Sequence, residues 1–423
     1  MSIPRREARA SIRFHWAVAQ SLLVLMLCLL ASNSAAQSSG ASTGAHPEDK
    51  SAVETAPLPQ GSWRFIVSGD SRNCGDIVLP TIATDSARFA PSFYWHLGDL
   101  RAIYKVDEDM AFAAAVNGEF LNCQQYLKRA WPDFIEHQIG AFGKTPFYVG
   151  IGNHEVIPPK DELQFRRQFA AWLDQPAIHS QREKKEEADS KGKPPVQSEK
   201  EAPSSYYHWL QGKVDFIYLD NASDDFAPEQ LTWLAGALDR DKANSDVKSV
   251  VVGMHESLPD SIANHHSMGD SKNPHARPSG EQAYQLLLDF RDQSHKPFYV
   301  LSSHSHFYME NIYDTAELRK KGQPLPGWIV GTGGAQRYKL PANAPATSKQ
   351  DVYGYLVGTV ASDGTIQFVF HEVHESEVPA ATRSEYPAPL VHWCFAHNSQ
   401  NIDPDPGDLT PRCVAPASAG AGH

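Results

Sequence analysis

Phe147-Tyr148-Val149-Gly150-Ile151-Gly152-Asn153-His154-Glu155 is the stretch on which the reading of this chain turns. An aromatic and β-branched run follows Pro146 and reads as a buried strand. Gly152 then permits a sharp turn and a close backbone approach to a ligand. Directly after it come an amide oxygen (Asn153), an imidazole (His154) and a carboxylate (Glu155). Alone, the tetrapeptide Gly152–Glu155 also fits an ordinary strand-to-loop turn. Its weight comes from repetition.

Four further apolar runs end in the same way. Trp63–Gly69 delivers Asp70, Phe93–Gly98 delivers Asp99, Ser249–Met254 delivers His255, and Phe298–Ser303 delivers His304, with His306 two residues on. Each expected strand therefore places a polar donor at its C-terminal end, the edge at which open α/β sheets bind ligands. Carboxylate, amide and imidazole donors suit Mn, Fe or Zn. No cysteine stands at these strand ends, which argues against a thiolate zinc site.

The 423 residues allow two or three domains, or one large α/β unit with insertions. Arg5, Arg6, Arg9 and Arg13, the apolar segment 16–30 and Ser34-Ala35-Ala36 form the pattern of an export leader, expected to be cleaved after residue 36. Its apolar part is short for a membrane span of about 20 residues. Cleavage removes four arginines and one glutamate, taking the formal net charge from −12 to −15. Such an acidic chain repels phosphate backbones, so no general nucleic-acid binding is expected. The expected location is extracytoplasmic, periplasmic or secreted. Of the five cysteines, Cys74, Cys123, Cys394 and Cys413 remain, an even number that suggests two disulfides. The expected pairing is Cys74–Cys123, bracing the loops beside Asp70 and Asp99, and Cys394–Cys413, closing the C-terminal tail.

Residues 37–60 are rich in Ser, Ala, Gly and Pro and read as a flexible linker. Residues 180–204 carry a run of charges and Pro194-Pro195 with almost no apolar side chains, and read as a disordered surface insertion. Helices are expected over 77–89 (broken at Pro80), 127–142, 163–173, from Pro228 onward and over 281–290. Strands are expected at 205–210, 214–219, 308–313, 327–330, 353–360 and 365–371, with Asp363-Gly364 a hairpin turn. Helix-flanked strands thus come first and a strand-rich half follows.

Taken together, Gly69-Asp70, Gly98-Asp99, Gly152-Asn153-His154-Glu155, Met254-His255 and Ser303-His304-Ser305-His306 resemble, in this order, the motifs of the calcineurin-like metallophosphoesterases, which include the purple acid phosphatases. Leu219-Asp220 with residues 230–234, and Gly331-Thr332-Gly333-Gly334, add to the resemblance, which covers residues 61–372 and leaves 373–423 as a C-terminal tail. It implies an α/β fold, a four-layer αββα sandwich of two mixed β-sheets flanked by helices. It also implies two metal ions (Fe, Mn or Zn). Asp99 would bridge them, Asp70 and His306 would complete one site, and Asn153, His255 and His304 the other. His154 would face the phosphoryl group of a small phosphorylated substrate and assist the leaving group, while a metal-bridging hydroxide attacks phosphorus. A phosphomonoesterase is the favoured activity. A phosphodiesterase of the same fold and a catalytically dead metal- or phosphate-binding protein are the alternatives.

The chain departs from that pattern at Arg72, where the family often has a metal-ligating His. A guanidinium stays protonated and does not ligate metal. Arg72 is therefore read either as a phosphate contact, and so a catalytic residue, or as a partner of nearby Asp76. The Tyr that purple acid phosphatases use instead would fall at Ala102; Tyr104 reaches the site only through a bulged loop. His96 reads as a core histidine, Glu155 as an acceptor for loop amides, and His371 and His374 as solvent-facing residues at a strand end. His265 and His266 lie in a loop that could overhang the site.

Overall fold

The computed structural model describes residues 58–182, 202–263, 265–402 and 409–414. The leader, nearly all of the linker at 37–60 and most of the insertion at 180–204 lie outside these residues. The described strands are β1 (Trp63–Ser68), β2 (Tyr94–His96), β3 (Phe147–Val149), β4 (Tyr207–Gln211), β5 (Val214–Leu219), β6 (Ser249–Met254), β7 (Phe298–Ser302), β8 (Tyr308–Glu310), β9 (Gly327–Val330), β10 (Tyr353–Val360) and β11 (Ile366–Val373). They form a five-stranded sheet, ordered β11-β10-β1-β2-β3, and a six-stranded sheet, ordered β4-β5-β6-β7-β9-β8. Both sheets are mixed. β1, β2 and β3 run parallel, as do β5, β6, β7 and β9, and the outer hairpins are antiparallel.

Period-two alternation explains the layering. In the second sheet Phe216, Tyr218, Val251 and Leu301 join the core shared with the first sheet. Ile217, Leu219, Val250, Val252 and Val300 point the other way, into a core completed by the helices Pro228–Ala243 and Ala276–Ser294. Aromatic rings fill the space between the sheets. Tyr148 of β3 stacks on Trp209 of β4 at 3.9 Å, and Phe65 of β1 meets Phe216 of β5 edge-on at 5.0 Å. The helix Gly75–Ser86 covers the outer face of the first sheet with buried Ile77, Val78, Leu79 and Ile82. Two mixed sheets flanked by helices are thus the architecture the sequence implies.

Several expectations need correction. The disulfides are Cys74–Cys394 and Cys123–Cys413, not the local pairs. The reason is where the tail goes. Residues 380–396 form two helices, and Tyr386, Leu390, Val391 and Trp393 enter the main core, carrying Cys394 to the loop after Asp70. The helix at 75–86 continues through Pro80, because its buried apolar face outweighs one missing hydrogen bond. The segment 127–142 is not one α-helix: an α-helix, Cys123–Asp133, contains Pro132, which has no N–H to donate, and passes into a π-helix, Phe134–Ile139, two residues after it. His371 does not face solvent freely; its ring packs on Phe89 at 4.7 Å. Among the described residues, no helix is long and apolar enough to cross a membrane.

Candidate metal centre

The C-terminal ends of β1, β2 and β3 meet those of β6 and β7, and the loops are stitched together by backbone hydrogen bonds. Asp70 N donates to Gly98 O, Ser71 N to Asp99 O, and Ser303 N to His255 O; Gly69 N donates across to Val330 O of the other sheet. Asp70, Asp99 and His304 adopt left-handed φ values of 59°, 60° and 66°. Each conformation is costly for a residue with a Cβ, by about 1–3 kcal/mol, and such strain clusters at functional sites. Gly152 must be glycine: a Cβ there would lie 2.4 Å from Asp99 Oδ1 and 2.9 Å from His255 Cε1.

His255 Nε2 lies at the middle of one group of donors. Asn153 Oδ1 is 3.0 Å away, His304 Nδ1 3.1 Å and Asp99 Oδ1 3.2 Å. Ligand atoms bonded to one ion at about 2.1 Å sit about 3.0–3.4 Å apart, so this spacing fits a single metal. On its far side, His255 Nδ1 lies 3.0 Å from both Leu97 O and Ser303 Oγ, which turns Nε2 inward. Ser303 thus orients a candidate ligand. Burial resists a charge on His255, yet Asp99 and Asp70 raise its pKa to about 10, so a cation is favoured at this position.

Asp70, Asp99 and His306 form the other group, and the two groups share Asp99. Asp70 Oδ1 and Asp99 Oδ2 are buried without a hydrogen-bond partner, and His306 Nε2 lies 3.2 Å from Asp70 Oδ1. Arg72 stands among these atoms. Its Nη2 donates to His306 Nε2 at 2.9 Å, and its Nε is 3.6 Å from Asp99 Oδ2. The expected alternative partner, Asp76, instead pairs with buried Arg101, which also holds Asp109 and Asp133. With burial first and Arg72 second, the pKa of His306 is lowered, opposite to His255.

His154 lies beside Asp99. Its N–H donates to Asp99 Oδ1 at 3.0 Å, its Nδ1 donates to Ala102 O at 2.6 Å, and Nε2 is 3.6 Å from Asp99 Oδ2. Burial, then the charge of Arg72, lowers its pKa to about 3, so the ring is neutral with its lone pair at Nε2. Glu155 accepts from Asp99 N, Leu100 N and Gly152 N, as the sequence reading expects. His96 is a buried core residue, bonded to Ser71 Oγ at 3.0 Å. Tyr104 packs its ring 5.4 Å from that of His154. His265 has a side chain 92% exposed, whereas His266 lies 5.2 Å from the His304 ring and 4.9 Å from that of Tyr338.

Tyr338 is the residue that sequence reasoning missed. Its ring stacks on His306 at 3.9 Å and its hydroxyl is 3.4 Å from Arg72 Nη2. The one available signal was its position four residues after the glycine run ending at Gly334.

No protein-family model matches the chain, and no curated protein matches it. Among solved structures, it is similar to the purple acid phosphatase PPD1 from yellow lupin (Lupinus luteus) seeds, at 15% identity and a TM-score of 0.46, over 74% of this chain and 51% of that one. It is similar to PhoD at 15% identity and a TM-score of 0.45, over 75% and 73% of the two chains. A metallophosphoesterase from Sphaerobacter thermophilus is similar at 12% identity and a TM-score of 0.29, over 79% and 98%. The chain spans about half the length of the lupin structure. Likeness at this distance assigns no residue its role.

Proposed function

We propose that the chain is an exported, metal-dependent phosphoesterase, with phosphomonoesters as its favoured substrates. The observation that carries this reading is the convergence of Asp99, Asn153, His255 and His304 on one point, with His154 beside it. A divalent ion held by Asp99, Asn153, His255 and His304 would supply Lewis acidity toward a phosphoryl oxygen. The chain's own groups do the rest. Asp99 and Asn153 fix the ligand geometry, while Leu97 O and Ser303 Oγ hold the His255 ring. On this reading His154 assists the leaving oxygen from Nε2, with a proton that Nε2 first takes from solvent water once an anionic ester is bound.

Arg72 supports the monoester preference. A buried, permanently charged guanidinium suits a terminal phosphoryl dianion better than a diester monoanion. Two disulfides fit folding in an oxidising compartment. The test is turnover of p-nitrophenyl phosphate and bis(p-nitrophenyl) phosphate by the chelator-stripped chain, with Mn, Zn or Fe(II) restored. Metal-dependent hydrolysis of the monoester, faster than the diester, is expected. Faster diester hydrolysis would establish the phosphodiesterase reading instead, and no hydrolysis with any metal would sink the enzyme.

A further inference from the structure

The donors at the Asp70 side are close enough to hold an ion, but a protein cation already lies on them. His306 Nδ1 donates to Gln336 O at 2.6 Å, so the only lone pair of that ring is at Nε2. That lone pair accepts from Arg72 Nη2 at 2.9 Å. The Arg72 Nε faces Asp99 Oδ2, the oxygen turned away from the Asn153 group. A metal here would need both atoms, and would have to share the space with a group that never gives up its charge.

The guanidinium is also fixed in place. Its side chain is only 9% exposed, and Tyr338, stacked on His306, flanks Nη2. Tyr338 is anchored in turn, since its backbone N–H donates to His306 O at 3.0 Å. Rotating Arg72 outward would break the bond to His306 and move it away from the unpartnered oxygens of Asp70 and Asp99.

We infer that the Arg72 guanidinium takes the place of the first cation, so that the centre is one metal at Asp99, Asn153, His255 and His304 beside one arginine built into the chain. This rests on the reading of the Asn153 group as a metal site.

The test is metal stoichiometry, independent of turnover. The full-length chain, stripped and then reloaded with excess Mn(II) or Zn(II), is desalted and its metal counted by mass spectrometry. One ion per chain is expected; two, or none, overturns the inference. His306→Ala should keep the single ion, because His306 serves Arg72 and not the metal, whereas loss of the ion in this variant overturns the inference. Arg72→His should raise the count from one to two, and a count still at one overturns the claim that Arg72 excludes the second ion. Should Arg72→His fail to fold, the wild-type count and His306→Ala still decide. A chain that binds one ion but hydrolyses no phosphate ester refutes the proposed function and supports this inference; an active chain with two ions does the reverse.

Discussion

The Asn153 and Asp70 sides of the centre are built alike and differ in charge. Each takes donors from strand ends of both sheets, and both use Asp99. On the Asn153 side, four donor atoms face one another without a permanently charged guanidinium among them, and the field of the carboxylates raises the pKa of His255. On the Asp70 side, Arg72 sits on the imidazole lone pair and the pKa of His306 falls. Matching donor types therefore do not make matching sites. A single side chain two residues after Asp70 decides whether the position calls for a metal or already has its positive charge.

The largest expected effect comes from removing a donor on the Asn153 side. His255→Ala should lose metal by more than the 10–100-fold typical of outer contacts, and lose turnover with it. If calorimetry shows wild-type metal affinity in this variant, the two sides are not distinguished as described. His154→Ala comes next. It should keep its metal and lose about 10²–10⁴-fold in turnover, the range for a positioned acid. Equal rates for this variant and the wild type would remove His154 from the mechanism.

Ser303→Ala should act on the Asn153 side alone. It removes one of the two oxygens at His255 Nδ1 and leaves Leu97 O, so metal affinity should fall about 10-fold. An unchanged affinity would show that Leu97 O orients the ring unaided. On the Asp70 side, Cys394→Ser releases the tether to Cys74 and should lower stability by about 2–5 kcal/mol, read as a fall in denaturation midpoint. The metal on the Asn153 side should remain.

The smallest effect is one of pH. The Asp133 carboxylate, 3.3 Å from Nδ1 and opposed by burial, raises the pKa of His137 to about 9. Its unfolded value is about 6.5, so the native state binds more protons between these limits. The contribution is complete below pH ~6.5 and is lost as pH rises through about 9. Thermal melts of wild type and His137→Gln should converge above pH ~9; parallel curves over the whole range would show that His137 contributes nothing.

What the sequence made legible was local. Each strand and the donor that ends it lie within about ten residues, so periodicity and a turn signal found Asp70, Asp99, Asn153, His255 and His304 together. The two-sheet layering was implied by the family resemblance that these donors carry, not by the runs themselves. Contacts between distant segments were not legible. Arg72 was flagged as the departure, but its partner His306 lies 234 positions away and nothing local joins them. The disulfide pairing failed for the same reason, since it depends on where the helix Ala388–Ala396 docks. Tyr338 belongs to no motif and reaches the centre only because β9 ends next to β1.

Because β1 lies between β2 and β10, the strand that delivers Asp70 gains its second neighbour only when residue 360 has been made. At about 5–20 residues per second, synthesis of the intervening stretch takes roughly 15–60 s. During that interval one edge of an apolar strand is open to any other chain. C-terminal deletions that remove β10 should therefore yield inclusion bodies and no smaller working unit. Passage of a nascent chain like this one is best served by a holdase that covers β1 until its partner emerges.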